Sequence, residues 1–273
     1  MRPLTEPVPA GDGVFVSERR GGIVALVEGA GRARVVDLAD RFGVSTVTIR
    51  KDLLALEAEG RVVRAHGGAI APRGGRAEPA FTVRERLRRD EKLQIGRVAL
   101  GFVRDGESIA LDASTTALAL ARLIAARRWE SLTVVTNGMR AALELADVPG
   151  VNVIMLGGRV RSGALSVVGT HGDALLRRVN IGGAFLGAMG IALDAGLTDG
   201  TEEEAQIKRA MVAAARDVYA LVDHTKLGRV APASFARPDR LARVITDAAA
   251  STEAVEVLRS RGIPVTVAEE VGA

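Results

Sequence analysis

Apolar positions recur at helical spacing three times before residue 60. Ile23, Val24, Leu26 and Val27 form the first stripe, with Ser17 placed to cap its N-terminus and glycines closing it near residues 29–31. Val36, Leu38, Ala39 and Phe42 are the expected core contacts of a second, short helix from Val35 to Phe42. Gly43 and Val44 lead to Ser45, the expected N-cap of a third helix reaching about Glu59. Its inner face is Ile49, Leu53 and Leu56 at i, i+4, i+7. Gly60 stands where a helix-ending glycine belongs. Val62-Val63 and Ala69-Ile70, around His66-Gly67-Gly68, predict two short strands joined by a glycine turn.

Beyond residue 91 the pattern changes to short apolar runs alternating with amphipathic stretches. Strands are expected at 108–111, 132–136, 151–156, 183–186, 218–222, 243–246 and 265–268. Helices are expected at 116–126, 139–146, 202–216 and 252–260, between most of the strands, which predicts an α/β domain with a largely parallel sheet. Residues 1–16 hold three prolines and two glycines without periodicity and read as a disordered leader. The expected organisation is therefore a leader (1–16), a helical domain with a small hairpin (17–72), a Pro/Gly/Arg-rich linker (73–90) and an α/β domain (91–273).

Composition narrows the chemistry. The chain has no cysteine, which excludes disulfides, thiolate catalysis and cysteine-ligated zinc. His66, His171 and His224 lie far apart, so no histidine metal site is expected, which leaves carboxylates as the remaining ligands for a cation; no cofactor is expected. No apolar run approaches the ~20 residues that cross a bilayer, and the N-terminus has no signal-peptide pattern, so no membrane partner and a cytoplasmic location are expected. Residues 1–90 carry 16 Lys/Arg against 12 Asp/Glu, whereas residues 91–273 carry 21 of each. The whole net charge of +4 thus lies in the first third, where a polyanion would bind.

The helix-turn-helix order supplies a place for that polyanion. At about 100° per residue, the face of the third helix opposite Ile49 carries Val47 and Lys51, flanked by Thr48 and Arg50. Ser45, Thr46, Thr48, Arg50 and Lys51 offer hydroxyls and cations for phosphates or base edges, and Val47 a methyl-sized contact for thymine. Arg64 and His66 sit at the tip of the expected wing. Taken singly, Arg50 and Lys51 would serve equally to solvate a surface helix, and His66 to occupy a turn. The stretch from Val44 to Leu53, then Leu56-Glu57, Gly60, Arg64 and His66-Gly67-Gly68-Ala69, resembles the DeoR-type bacterial regulators. Lys51 departs from the arginine usual there. The resemblance implies a winged helix-turn-helix on double-stranded operator DNA, usually repressing sugar-catabolic operons. It also implies homo-oligomers, dimer or tetramer, since paired half-sites need paired readers.

The resemblance continues nearly to the C-terminus and implies a second domain of the ribose-5-phosphate isomerase and CoA-transferase type, sensing a phosphorylated sugar or related metabolite. The residues point to a phosphate independently. Strand 108–111 ends in Asp112-Ala113-Ser114-Thr115-Thr116 just before a helix, and hydroxyls beside free helix-start N–H groups form a phosphate cradle. Ala113 stands where the family has glycine. Asn137, Gly157 and Gly158 follow other strands, and ligands in such sheets sit beyond strand carboxyl ends. Each glycine alone also reads as a plain turn. Asp223 and Lys226 resemble a family Asp…Lys element, a surface salt bridge being the plain alternative. The run 201–204 suits a helix start, and the resemblance implies that one of its glutamates, with Lys208, also faces the site. Two other functions fit less of the sequence. One is an isomerase-like enzyme using Asp112, a glutamate of 202–204 and Lys226 as its acid–base set. The other is an architectural DNA-binding protein whose second domain only oligomerises.

Overall fold

The computed structural model describes residues 16–58, 60–65, 67–70 and 80–269. The chain divides into two units between Leu87 and Arg88.

The first unit contains α1 (Val16–Ala30), β1 (Arg32–Arg34), α2 (Val35–Phe42), α3 (Thr46–Ala58), β2 (Val63–Ala65), β3 (Gly68–Ile70) and α4 (Phe81–Arg86). Ile23, Val24 and Val27 from α1, Leu38 from α2, and Ile49, Leu53 and Leu56 from α3 share one buried cluster with Val62 and Ala69. Gly43 takes a left-handed conformation (φ +62°) and its N–H donates to Ala39 O, producing the tight turn between α2 and α3. Gly60, also left-handed, closes α3: its N–H donates to Glu57 O at 2.9 Å and Arg61 N–H to Leu56 O at 2.8 Å. Glu59 and His66 lie outside the described residues, as do most of the expected leader and residues 71–79.

Three local expectations change. Ser17 lies within α1, which already includes Val16, rather than capping it. Val36 is half exposed rather than a core contact, and Val35 is buried in its place. Helix α2 starts directly from β1, so its apolar stripe runs through Val35, Leu38, Ala39 and Phe42, at i, i+3, i+4, i+7. β1 itself was not anticipated, because Arg-Ala-Arg carries no apolar alternation. It exists by pairing with β3, completing a three-stranded antiparallel sheet in the order β1-β3-β2. A Cβ on Gly68 would lie 2.2 Å from Ala33 O, so that pairing requires glycine there.

The second unit runs α5 (Arg89–Leu100), β4 (Ser108–Leu111), α6 (Thr115–Ala125), β5 (Leu132–Thr136), α7 (Met139–Leu145), β6 (Val151–Met155), β7 (Arg159–Arg161), β8 (Ser166–Val168), α8 (Thr170–Leu176) and β9 (Ile181–Gly187). It continues with β10 (Gly190–Ala192), β11 (Gly196–Asp199), α9 (Glu202–Ala214), β12 (Ala215–Leu221), β13 (Ala233–Ala236), β14 (Arg243–Thr246), α10 (Thr252–Arg259) and β15 (Val265–Val267). Seven strands form one wholly parallel sheet in the order β15-β14-β12-β9-β4-β5-β6. β10, β11 and β13 form a small antiparallel sheet, and β7 and β8 a hairpin. Ala110, Val135, Ala184, Leu186, Val218 and Val244 bring buried side chains from the main sheet into a core shared with Ile207 and Met211 of α9.

The expected helix at 202–216 stops at Ala214. From Ala215 the chain pairs with β9, Ala215 opposite Ile181, and this ladder overrides a helical pattern that no Gly or Pro interrupts. Helix α5 begins within the stretch expected to be linker, so folded structure reaches further toward the N-terminus than residue 91. No helix among the described residues is long and apolar enough to cross a membrane.

Candidate functional site

On α3, each residue of the expected reading face has a definite place. Ser45 is exposed and its Oγ accepts the Thr48 N–H at 3.1 Å while sharing a hydrogen bond with Thr48 Oγ1 at 2.9 Å, so both hydroxyls stabilise the helix start. Val47 is 57% exposed, Arg50 and Lys51 are exposed, and Thr46 and Thr48 are half-buried. Arg64, on β2, is drawn back toward α3: its N–H donates to Glu57 Oε1 at 3.2 Å and its guanidinium stands 3.8 Å from the same carboxylate. Asp52, which the pattern of hydrophobic positions did not single out, is buried and paired with Arg19 and Arg20 of α1.

In the second unit the strand order sets out a row of loop starts. From one side these are Asp223 after β12, Gly187 ending β9, Asp112 after β4, Asn137 after β5 and Gly157 beyond β6, roughly 5 Å apart. Asp112 is fully buried at the centre. Its Oδ1 accepts the Ser114 N–H and its Oδ2 the Gly187 N–H, both at 3.1 Å. Ser114 caps α6 by accepting the Ala117 N–H at 3.1 Å. The first bond of that helix ladder is Leu118 N–H to Ser114 O, so the N–H groups of Thr115 and Thr116 precede the ladder and point out of the helix start. Ala113 is buried under Gly138, where a Cβ would meet Ala113 Cα at 3.0 Å. Among the described residues, positive φ at a non-glycine occurs at Arg88 and Leu165, so the backbone at position 113 accommodates alanine without strain.

A charged cluster underlies this row. Lys208, buried on α9, contacts Asp112 Oδ2 at 2.7 Å, Asp199 Oδ2 at 2.5 Å and Gly187 O at 2.9 Å, using all three of its N–H directions. Burial alone would lower the affinity of Lys208 for its proton. Asp112, Asp199 and Glu204 outweigh that and hold its pKa well above the usual lysine range. Of the three glutamates, Glu204 is buried in this cluster, accepting from Arg161 Nη1 at 2.6 Å and from the Ser166 hydroxyl. Glu202 and Glu203 are exposed and pair with Arg209 and Arg159. Asn137 donates to Val167 O at 3.2 Å and to Glu204 Oε2 at 3.4 Å, while its buried Oδ1 has no hydrogen-bond partner.

Toward the other side, Asp223 Oδ1 accepts from the Thr225 N–H at 3.0 Å and from its hydroxyl, and Arg88 Nε lies 4.0 Å away. Burial raises the Asp223 pKa, but Lys226, the Thr225 hydrogen bonds and Arg88 together hold it below the usual carboxylate value. Lys226 is half-buried in the short turn His224–Lys226. Gly157 and Gly158 are exposed at the far end of the row. Gly158 has a packing reason of its own, since a Cβ there would lie 2.3 Å from Val168 O. Asp199 was not legible in advance: it ends a four-residue strand of the small sheet, and nothing local distinguishes it from a loop acid.

Residues 19–73 match the DeoR-like helix-turn-helix domain, and residues 87–248 the DeoR C terminal sensor domain. The HTH-type transcriptional regulator GolR of Listeria innocua is 33% identical over 256 residues, 94% of this chain and all of that protein. The glycerol-3-phosphate regulon repressor of Escherichia coli (strain K12) is 30% identical over 90% of this chain and 97% of its own length. Among solved structures, ribose 5-phosphate isomerase A from Methanocaldococcus jannaschii superposes with a TM-score of 0.38 at 18% identity, over 50% of this chain and 54% of the isomerase.

Proposed function

Because this chain belongs to the DeoR family of helix-turn-helix transcription regulators, we propose that it is a cytoplasmic repressor of a sugar-catabolic operon, released from its operator by a phosphorylated sugar or a related metabolite. On this reading Ser45, Thr46, Val47, Thr48, Arg50 and Lys51 meet the major groove, and Arg64 and His66 meet the DNA from the wing. The effector's phosphate is held at the Ser114, Thr115 and Thr116 helix start. Its carbon chain lies along Asp112 and Asn137, toward either Asp223 and Lys226 or Gly157 and Gly158. The observation that carries the sensor half is Asn137 Oδ1, a buried neutral acceptor left without a partner beside a cluster whose charged groups are paired. An effector hydroxyl supplies the missing donor.

The paired state of the cluster favours binding over catalysis. An isomerase needs a carboxylate free to take a substrate proton, whereas Asp112 and Asp199 are held by Lys208 and Glu204 by Arg161. The test uses full-length protein and a duplex selected by that protein from a random pool. An effector sugar phosphate should lower operator affinity by ~5–150-fold, and at 100 times its Kd should add ~2.7 kcal/mol to the stability of the state it binds. Its unphosphorylated sugar should do neither. A sugar-phosphate panel that moves neither quantity removes the sensor reading, and turnover of any member would make the chain an enzyme.

Lys51→Ala should weaken binding to all sequences about equally and reduce the slope of log K against log salt by about 1. Arg50→Ala should instead relax the sequence preference at one position, with a loss of ~1–3 kcal/mol on the selected duplex. Quantitative binding to single-base variants of that duplex, at three salt concentrations, separates the two. The reader is proposed to be a homo-oligomer, which sedimentation on and off the DNA checks.

A further inference from the structure

The packing of α1 against α3 contains a group that apolar burial does not explain. Asp52 is 2% exposed and Arg19 8% exposed, in a unit whose other α1 and α3 core positions are aliphatic. Desolvating such a pair is costly, and well-packed apolar residues of similar volume usually stabilise a fold as well or better. What apolar residues lack is direction. Asp52 Oδ2 accepts from Arg19 Nε at 2.6 Å and Oδ1 from Arg20 Nε at 3.0 Å. Two directional bonds from consecutive residues of one helix to the two oxygens of one carboxylate fix both the roll and the axial position of α3 against α1.

We propose that Asp52, held by Arg19 and Arg20, is the positioning residue that sets the roll of the DNA-reading helix. It directly follows Lys51 in sequence but points about 100° away from it and, being buried, has no part in the reading face. A roll of roughly 20° at the ~5–6 Å radius of a helix would carry a side-chain tip about 2 Å. That is enough to break a base-edge hydrogen bond while leaving a phosphate attraction nearly unchanged. The role rests on the DNA-reading proposal above.

The experiment measures, for full-length wild type, Asp52→Asn, and the double variant Arg19→Met with Asp52→Leu, the affinity for the selected duplex and for a scrambled duplex of equal length. Asp52→Asn should lower the ratio of selected to scrambled affinity at least tenfold, with the salt slope on scrambled DNA unchanged. A purely structural role reduces the folded fraction and so scales both affinities by one factor, leaving the ratio intact; that result overturns the proposal even if the variant is destabilised. The double variant should melt near the wild-type temperature and still show the reduced ratio. Recovery of the wild-type ratio by that apolar pair would also overturn it. If wild type itself does not discriminate between the duplexes, it is the DNA-reading proposal that fails.

Discussion

Replacing Lys208 with methionine should destabilise the second unit by about 3–5 kcal/mol, the usual result of removing one partner from a buried ion cluster. For a unit of this size that is a fall in melting temperature of roughly 6–20 °C. The cause is not the lost lysine but what remains. Asp112 and Asp199 both touch the Lys208 ammonium, and the methionine variant leaves two buried carboxylates facing each other without a cation. In wild type the raised Lys208 pKa makes its contribution fully present below the unfolded lysine value of about 10.4, lost only as pH climbs past it. The variant reverses the sensitivity. Its folded form should bind protons more tightly than the unfolded chain, so its deficit is largest near pH 8 and shrinks toward pH 5. Thermal melts of both proteins across that range are the measurement. A pH-independent loss under 1 kcal/mol would mean that the charged cluster does not hold the site.

Ile49→Ala should cost the first unit ~2–5 kcal/mol, because Ile49 is fully buried between α1 and α2 at the base of α3 and its truncation leaves a cavity. A domain of about 55 residues has on the order of 3–8 kcal/mol in total, so one such loss can unfold it near physiological temperature. DNA binding should then disappear while effector-induced stabilisation of the second unit persists. Val47→Ala, two positions earlier and 57% exposed, is the control: stability within about 0.5 kcal/mol, but a changed preference at one base pair. A small stability loss in Ile49→Ala, or a large one in Val47→Ala, would show that the two faces of α3 have been assigned wrongly, and loss of effector response in Ile49→Ala would show that the second unit does not respond independently of the first. Differential scanning calorimetry with and without the effector reads both.

Legibility followed the range of the deciding interaction. Ile49, Leu53 and Leu56 were readable because a helix repeats every 3.6 residues, and strands β4, β5 and β14 because polar residues bound their apolar runs. Choosing Val36 over Val35 was an error of one position. It arose because β1 sets where α2 begins, and β1 has no apolar pattern of its own. The three- and four-residue strands β7, β8, β10, β11 and β13 went unseen: β7–β8 and β10–β11 are hairpins too short to show an alternation, and β13 exists by pairing with β11, distant in the chain. In the candidate sensor site, Asp112, residues 114–116 and Asn137 stood out as polar groups at strand ends. Choosing Glu204 from three adjacent glutamates required the hydrogen bonds from Arg161 and Ser166.

By itself, then, the sequence determined the helix-turn-helix order, the inner and outer faces of α3, the parallel α/β character of the second unit and the family. These depend on period, turn residues and motif, all properties of neighbours along the chain. Only the tertiary structure decided which buried polar groups face one another: Asp52 with Arg19 and Arg20, and Lys208 with Asp112 and Asp199. A buried charge is tolerable only beside a counter-charge, and residues 33 positions apart meet only once helices and strands have packed.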